Sequence, residues 1–586
     1  MIDEYCYHYL KIIFTEEELE ELKINKRNFL SKDSKNLQVI EESLVVVICQ
    51  PIHEIVDKVL VFSYMKKKTD FYFILIPEET YEIINFLSMP GLGSRYKVNS
   101  FNIDLLPIDN DLISMERDGS FKQIYLDNDI TPLVDMADSF IKLELCFGKI
   151  KNKYIKGERA KLFCDLLSKK EMETNIKTTE EILGMIVLDR NVDFLTPMTS
   201  NFTYEGLFDE HFGIKWGNVK VEKAYIKTNL KEKEKTQKEY YSLTSESNPF
   251  FSRIRCMNYL DANRYMIDLK QYYIEIAQKS QKAKNLNDMQ KIISSYNDFL
   301  TFFKAPLEIN NKFLTKFIDE NHKDDNIIYR QKEGIFLSGA IPDNLKLFYD
   351  DYITDKKDLL KLLNLFIIET LTQGGVKDYN SLKRDILNIY GYQYIFLFRD
   401  LEAIDLIKEK AVLKKLTETS YQQIVSKLNL ISSDIDYRKT KVKDCSYIYQ
   451  GYCPIILRLI ELAVQGKWNK FKDIITKLPG DTLYPEDESE ITKPKSDEQK
   501  VHTIFVVFVG GISYNEIEGI RFINRNLKLI AEKNNDKNGR IQLIIVTNEI
   551  LNKKRILNSF GMKLGQAFSF KKLGADMEKE KDKDKK

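Results

Sequence analysis

Cysteine is scarce in this chain. There are seven in 586 residues, at positions 6, 49, 146, 164, 256, 445 and 453, and no two stand at CxxC spacing. That excludes a disulfide scaffold and reads as reduced core thiols of a cytosolic protein. Histidine is scarcer still. The five, His8, His53, His211, His322 and His502, include no pair at zinc-ligand spacing. No GxSxG marks a nucleophile elbow, and neither GxGxxG nor GxxxxGK[ST] marks a phosphate cradle. No charge sign dominates either: 89 Lys and Arg oppose 88 Asp and Glu. A broad basic footprint for nucleic acid is therefore not expected. Long apolar runs are missing as well. The most apolar stretch, residues 504–512, is far shorter than the ~20 residues of a membrane-spanning helix. The first residues lack the basic region of a signal peptide. The expectation is a soluble chain whose membrane role would come through partners.

What is present is 43% apolar and 30% charged, ordinary globular material. At ~150 residues per domain, the length suggests three or four domains. Short, wholly apolar runs at 44–49 and 71–76, the latter ended by Pro77, alternate with helical spacing at 55–60 and 78–87. Such runs suit parallel strands covered on both faces. Residues 103–108 offer a third strand. Between Asp135 and Leu167 the pattern turns helical, and 184–189 is again a buried-type strand. The lysine- and glutamate-rich residues 223–246 read as a solvated excursion.

From about Phe251 to Gly480 the text is mostly helical. Leucines and isoleucines between 359 and 371 fill nearly every face of one helix, which should be central, and Gly374-Gly375 should stop it. Tyr265, Leu269, Tyr272 and Ile276 form one heptad-like stripe, and residues 286–303 form another. Such stripes suit either internal packing or a groove for amphipathic helices. The end returns to strand, turn and helix: residues 504–509, Gly510-Gly511, 515–530, then a strand at 541–546. This unit is too small to cover its own strands, so it should join the sheet around 184–189. The fold class expected is α/β plus all-α. Two parallel-sheet α/β domains are predicted, the second split by a large helical insertion. The boundaries are 1–134 for the first domain, 135–250 and 481–573 for the split second, and 251–480 for the helices. A charged tail, 574–586, follows.

Two features suggest chemistry. Asp189 ends a buried strand, with Asp193 four residues on; a carboxylate there can hold magnesium or act as a nucleophile. Gly510-Gly511 lies where a strand meets a helix, the usual place for phosphate. The reading that follows is a nucleotide- or phosphate-processing α/β enzyme. Against it, Arg190 beside Asp189 suggests ion pairing and capping, and the glycines suit a tight turn.

Several segments together resemble the SM family of SNARE-regulating proteins, in its vacuolar branch. They are LDRNVDFLTP at 188–197 with FTYEGL at 202–207, KRDIL at 383–387 with YGY at 390–392, and YQGYCP at 449–454 with Arg458. VGGISYNEI at 509–517 with Arg521-Phe522, LPIDND at 106–111 and FGKI at 147–150 complete the set. The resemblance implies an arch-shaped, non-enzymatic clasp without cofactor or metal. It would align syntaxin-like and R-type SNARE helices for membrane fusion. It also implies a place in the HOPS or CORVET tethering complex, held by a vacuolar-sorting companion subunit. The location would be cytoplasmic, peripheral on late endosomal, vacuolar or lysosomal membranes. The family's SNARE-contacting hairpin would map to about residues 286–340, with Gln290, Asn297, Lys312, Phe313 and Lys316 as contacts. The companion subunit would be met by Tyr449, Tyr452 and Pro454. A further reading is a purely structural subunit of the tethering complex.

Overall fold

The computed structural model describes residues 104–174, 181–227, 232–243, 248–282, 302–410, 420–432, 444–488, 501–534 and 540–560. Ahead of these it describes 44–50, 69–76, 81–87, 96–101 and short pieces within 1–24 and 55–60.

Three parallel strands open the fold: β1 (Leu44–Cys49), β2 (Asp70–Leu75) and β3 (Tyr96–Ser100). Val45 lies beside Phe71 and Val47 beside Phe73. Burial alternates along β1, because Val45, Val47 and Cys49 meet Val56, Val59 and Ile83 while Leu44 and Val46 face water. Among the described residues the second face of the run is covered only toward its end, where Ile48 packs on the cluster of Ile2, Tyr7 and Leu10. The third strand expected at 103–108 belongs elsewhere: β4 (Leu106–Asp109) folds back antiparallel on β5 (Leu112–Ser114) at the rim of a second, larger sheet.

That sheet continues through β6 (Lys149–Lys156) and β7 (Glu181–Asp189). A small antiparallel sheet follows, of β8 (Ile214–Lys215), β9 (Asn218–Glu222) and β10 (Lys238–Ser242). Its Tyr241 and the adjoining Leu243 are buried, so the supposed solvated excursion at 223–246 is partly core. The large sheet then gains β11 (Thr482–Leu483) and β12 (Val501–Val509). The last strands are β13 (Ile512–Ser513), β14 (Arg540–Thr547) and β15 (Ile550–Leu551), of which β14 joins the large sheet and β13 pairs with β15. The order of the large sheet is β11-β6-β7-β12-β14-β5-β4, parallel except at its two ends. β12 lies between β7 and β14, with Ile504 beside Gly184 and Val509 beside Asp189. The end of the chain completes a sheet begun before the helical block, as its unsupported apolar strands require.

Residues 504–509 are buried without a break. Their side chains alternate between two cores, which is the geometry of a strand covered on both faces. Phe505, Val507 and Val509 meet α1 (Thr131–Phe147) and α2 (Glu158–Thr174), where the Phe140 and Phe163 rings pack edge-on at 5.2 Å. Between those helices stands β6, where the helical pattern at 135–167 had been expected to run on. Ile504, Val506 and Phe508 face the helical block. That block includes α3 (Tyr204–Phe212), α4 (Tyr259–Lys282), α5 (Lys304–Asn321) and α6 (Leu359–Gln373). α6 is buried through most of its length and ends at Gly374, whose φ of 79° suits glycine. α7 (Tyr514–Asn534) packs over the same face.

Candidate partner-binding surface

The carboxyl ends of β7 and β12 meet in a closed polar knot. Asp189 accepts the Tyr125 hydroxyl at 2.6 Å, the Arg159 backbone N–H at 2.8 Å and the Asn191 N–H at 2.9 Å. Burial pushes its carboxyl above the usual range. Arg190 does not pair with Asp189. Its guanidinium, fully sealed from water, grips both oxygens of Glu516 at 2.7 and 2.8 Å. Asp193 accepts the Thr196 N–H and hydroxyl, at 2.9 and 2.6 Å. The carboxylates proposed for phosphate chemistry are thus caps and struts. The glycine turn is equally closed. A Cβ on Gly510 would lie 2.5 Å from the Tyr125 ring and one on Gly511 2.4 Å from Leu551. The Gly510 N–H already donates to the Asn548 side chain at 3.0 Å. This arrangement leaves no room for a phosphate, and the enzyme reading based on Asp189 and Gly510-Gly511 is corrected accordingly.

A second knot fixes the helices to the sheet. Arg521 donates to Asp111, Asp109 and Glu205, and Arg255 donates to Glu205 and Asp109. Burial would raise Glu205, but Arg255 and Arg521 outweigh it and hold the carboxyl below the usual range. The Tyr204 hydroxyl donates at 2.6 Å to Asn310, which also exchanges bonds with Asn248. These contacts seat α3 and α5 on each other.

From this base α4 runs outward. Tyr259, Ala262 and Met266 near its start are buried, and Asp261 accepts the Tyr447 hydroxyl. Farther along, Tyr265, Leu269 and Ile276 are half-buried, and Tyr273 stacks on Phe303 at 6.4 Å. The opposite side carries Leu260, Ile267 and Ile274, which are 41, 55 and 41% exposed. They are spaced seven apart, so they line one face of the helix. Tyr272, a member of the heptad-like stripe by its spacing, is 58% exposed.

The residues singled out from sequence fall differently. Gln290 and Asn297 lie outside the described residues. Phe313 is fully buried, stacked on Tyr225 at 5.1 Å and edge-on to Phe208 at 4.7 Å, so it is core and not a contact face. Lys312 donates to the Ala224 carbonyl at 2.9 Å, and Lys316 covers the rings of Phe212 and Tyr225. Both lysines are half-buried against residues 212–226. Tyr449, Tyr452 and Pro454 are buried as well. They wedge the helical block against the knot and cannot meet a companion subunit directly. The exposed stripe Leu260, Ile267, Ile274 went unread. Its seven-residue spacing was available in the sequence, but each member sits among the buried Tyr259, Ala262 and Met266.

The sequence matches the Sec1 family across residues 1–559. The chain belongs to this family. It is 27% identical over 569 residues to vacuolar protein sorting-associated protein 33A of Rattus norvegicus, covering 94% of this chain and 92% of that one. Similarity to the vacuolar protein-sorting-associated protein 33 homolog of Arabidopsis thaliana is 25% identity, over 85% and 82%. Among solved structures, the Unc18–syntaxin 1 complex from Monosiga brevicollis aligns with a TM-score of 0.56 at 12% identity, over 95% of this chain and 94% of that one. The SM protein Vps45 in complex with the Qa SNARE Tlg2 aligns with a TM-score of 0.55 at 12% identity, over 95% and 92%. The last two likenesses are of fold. Among the described residues, no helix of this Sec1-family chain is long and apolar enough to cross a membrane.

Proposed function

We propose that this chain is a template for SNARE assembly in vesicle fusion. Its long helix α4 offers the docking face. The observation that supports this most directly is the exposed seven-residue stripe Leu260, Ile267, Ile274 on a helix that starts just after Arg255 of the second knot and is tied at Asp261 to the Tyr447 hydroxyl. SNARE segments are heptad-repeat helices, and a seven-residue apolar period complements a partner of the same period. Each is already about half covered, so burying the remainder is worth roughly half of the ~1.5–3 kcal/mol of a full burial. Three of them offset part of the ordering entropy, ~1–2 kcal/mol per residue, that a disordered segment loses on folding. A rooted, rigid helix holds the segment in register, so zippering with a second segment starts from an ordered strand. Relatives agree in kind: the solved Vps45 holds a Qa SNARE and the solved Unc18 holds syntaxin 1.

By similarity to the vacuolar relatives, the chain acts within a HOPS- or CORVET-type tethering complex. It is cytoplasmic and peripheral on late endosomal, vacuolar or lysosomal membranes, and performs no reaction of its own. Its domains are proposed as those expected from sequence, arranged as an arch, except that residues 104–134, which hold β4 and β5, go with the split second domain. The test is hydrogen exchange on recombinant syntaxin-like and R-type SNARE segments mixed with the full chain. Slowed exchange in those segments, reversed by Ile267→Asp, is the expected result. Unchanged exchange at saturating protein would end the proposal and leave a purely structural subunit.

A further inference from the structure

The segment 444–454 turns sharply beneath the base of α4. Cys445 opens its first turn, and Cys453 follows the bend at Gln450 and Gly451. The two sulfurs lie 2.8 Å apart, and both side chains are buried. Two thiolates sharing a tetrahedral zinc, with Zn–S of ~2.3 Å, stand about 3.8 Å apart. The pair is too close for that. Asp444, the third group able to ligate, instead accepts from one Arg458 Nη with both carboxylate oxygens, at 3.0 and 3.1 Å, and caps Ser446. A guanidinium at the ligand site opposes a cation.

The same arginine favours another chemistry. Its Nε–H is buried and finds no acceptor among the described residues, and its positive charge acts on both sulfurs. The hydrogen bond with Cys453, and then burial, push the Cys445 thiol well up.

We propose that Cys445 and Cys453 are a dithiol that closes reversibly to a disulfide when the cell meets hydroperoxides. In the first step one sulfur of the pair attacks the peroxide O–O bond, giving a sulfenic acid and one water. In the second, the other sulfur, 2.8 Å away, displaces the hydroxyl as a second water and forms the S–S bond. The two thiols lose two hydrogens and two electrons, and hydrogen peroxide is reduced to two waters. Glutathione or thioredoxin restores the thiols by exchange. The consequence reaches the projecting helix. Tyr447, inside the closed loop, donates to Asp261 at the root of α4, and the Cys453 N–H holds the Leu430 carbonyl at 2.7 Å. Closing the loop stiffens the seat on which α4 stands.

The test uses the purified full chain, treated with graded hydrogen peroxide, alkylated, digested with trypsin and mapped by mass spectrometry. Cleavage after Lys443 and Arg458 releases one peptide, residues 444–458, which carries only these two cysteines. It should lose two hydrogens and take no alkyl group, and reduction before alkylation should restore two. The Cys146→Ser variant, changed at an exposed thiol, should behave identically. Hydrogen exchange across 444–454 and the first turns of α4 should slow about tenfold after oxidation. Alkylation of both cysteines at peroxide doses that already oxidise Cys146 would overturn the proposal. So would stoichiometric bound zinc that shields both from alkylation, which would make the pair a metal site.

Discussion

Arg190 and Glu516 form a bidentate ion pair, 2.7 and 2.8 Å, across 326 positions of sequence and entirely out of water. Glu516 also accepts the Ser513 N–H and hydroxyl. The pair joins the end of β7 to the start of α7, the two places where the interrupted sheet must be sewn together. Glu516→Gln leaves a buried guanidinium without its counter-charge, which costs about 3–5 kcal/mol. The double variant Arg190→Met with Glu516→Leu should lose less than Glu516→Gln alone. Urea unfolding midpoints of the three chains check this ordering.

The buried aromatic cluster and the exposed stripe should separate cleanly. Phe313→Ala opens a void among Phe208, Tyr225 and Tyr241 and should cost about 3–5 kcal/mol. Ile267→Asp touches an exposed position and should change stability by no more than ~0.5 kcal/mol. Thermal unfolding measures both, and binding of SNARE segments should be lost in Ile267→Asp with the fold intact.

Much of the frame was legible from residue type. Residues 504–509 and 185–188 are uninterrupted apolar runs because both faces of their strands are covered. The closing of one sheet by both followed from the size of the second unit. β6 was hidden. Its sequence KIKNKYIK carries four lysines, and three of them either face water or pair at the rim. The fourth, Lys156, is buried and donates to Leu478 O, Gly480 O and Thr482 at 2.8–2.9 Å, which no local pattern announces. The site was less legible, because Phe313 and Tyr449 were placed by resemblance and not by pattern. An aromatic on a helix or turn looks alike whether it faces a partner or its own core. Only the neighbouring helix decides, and that neighbour, such as Tyr225 for Phe313, is distant in sequence.

Stability should fall as pH rises through neutrality. Glu369 is buried in α6, accepts the Tyr349 hydroxyl at 2.9 Å and is raised by burial from 4.5 to about 7. The folded chain therefore keeps a proton that the unfolded chain has lost. The stabilisation is complete below about pH 4.5 and disappears as pH climbs through about 7. Glu369→Gln cannot ionise, so its melting temperature should decline less between pH 5 and 8, a range on the order of the shift itself. Parallel melting curves of wild type and variant across that range decide it.

Gly510 should resist substitution more than a glycine of similar backbone with space around it. Its φ is 87° and an added Cβ strikes Tyr125, whereas Gly213, at φ 76°, has nothing within 4 Å. Both alanine variants incur the left-handed backbone cost of about 1–2 kcal/mol. Gly510→Ala should add about 1–3 kcal/mol of overpacking. The difference between the two unfolding free energies isolates that clash.

The large sheet has a consequence for how the protein is made. β7 emerges from the ribosome with one long edge unpaired, and its partner β12 is translated roughly 300 residues later. At ~5–20 residues per second that is a delay of about 15–60 s. Throughout it, a bare apolar strand waits for residues 501–509. Nascent chains stalled before Val501 should therefore be heavy clients of ribosome-associated chaperones, and chains released after Thr547 should not.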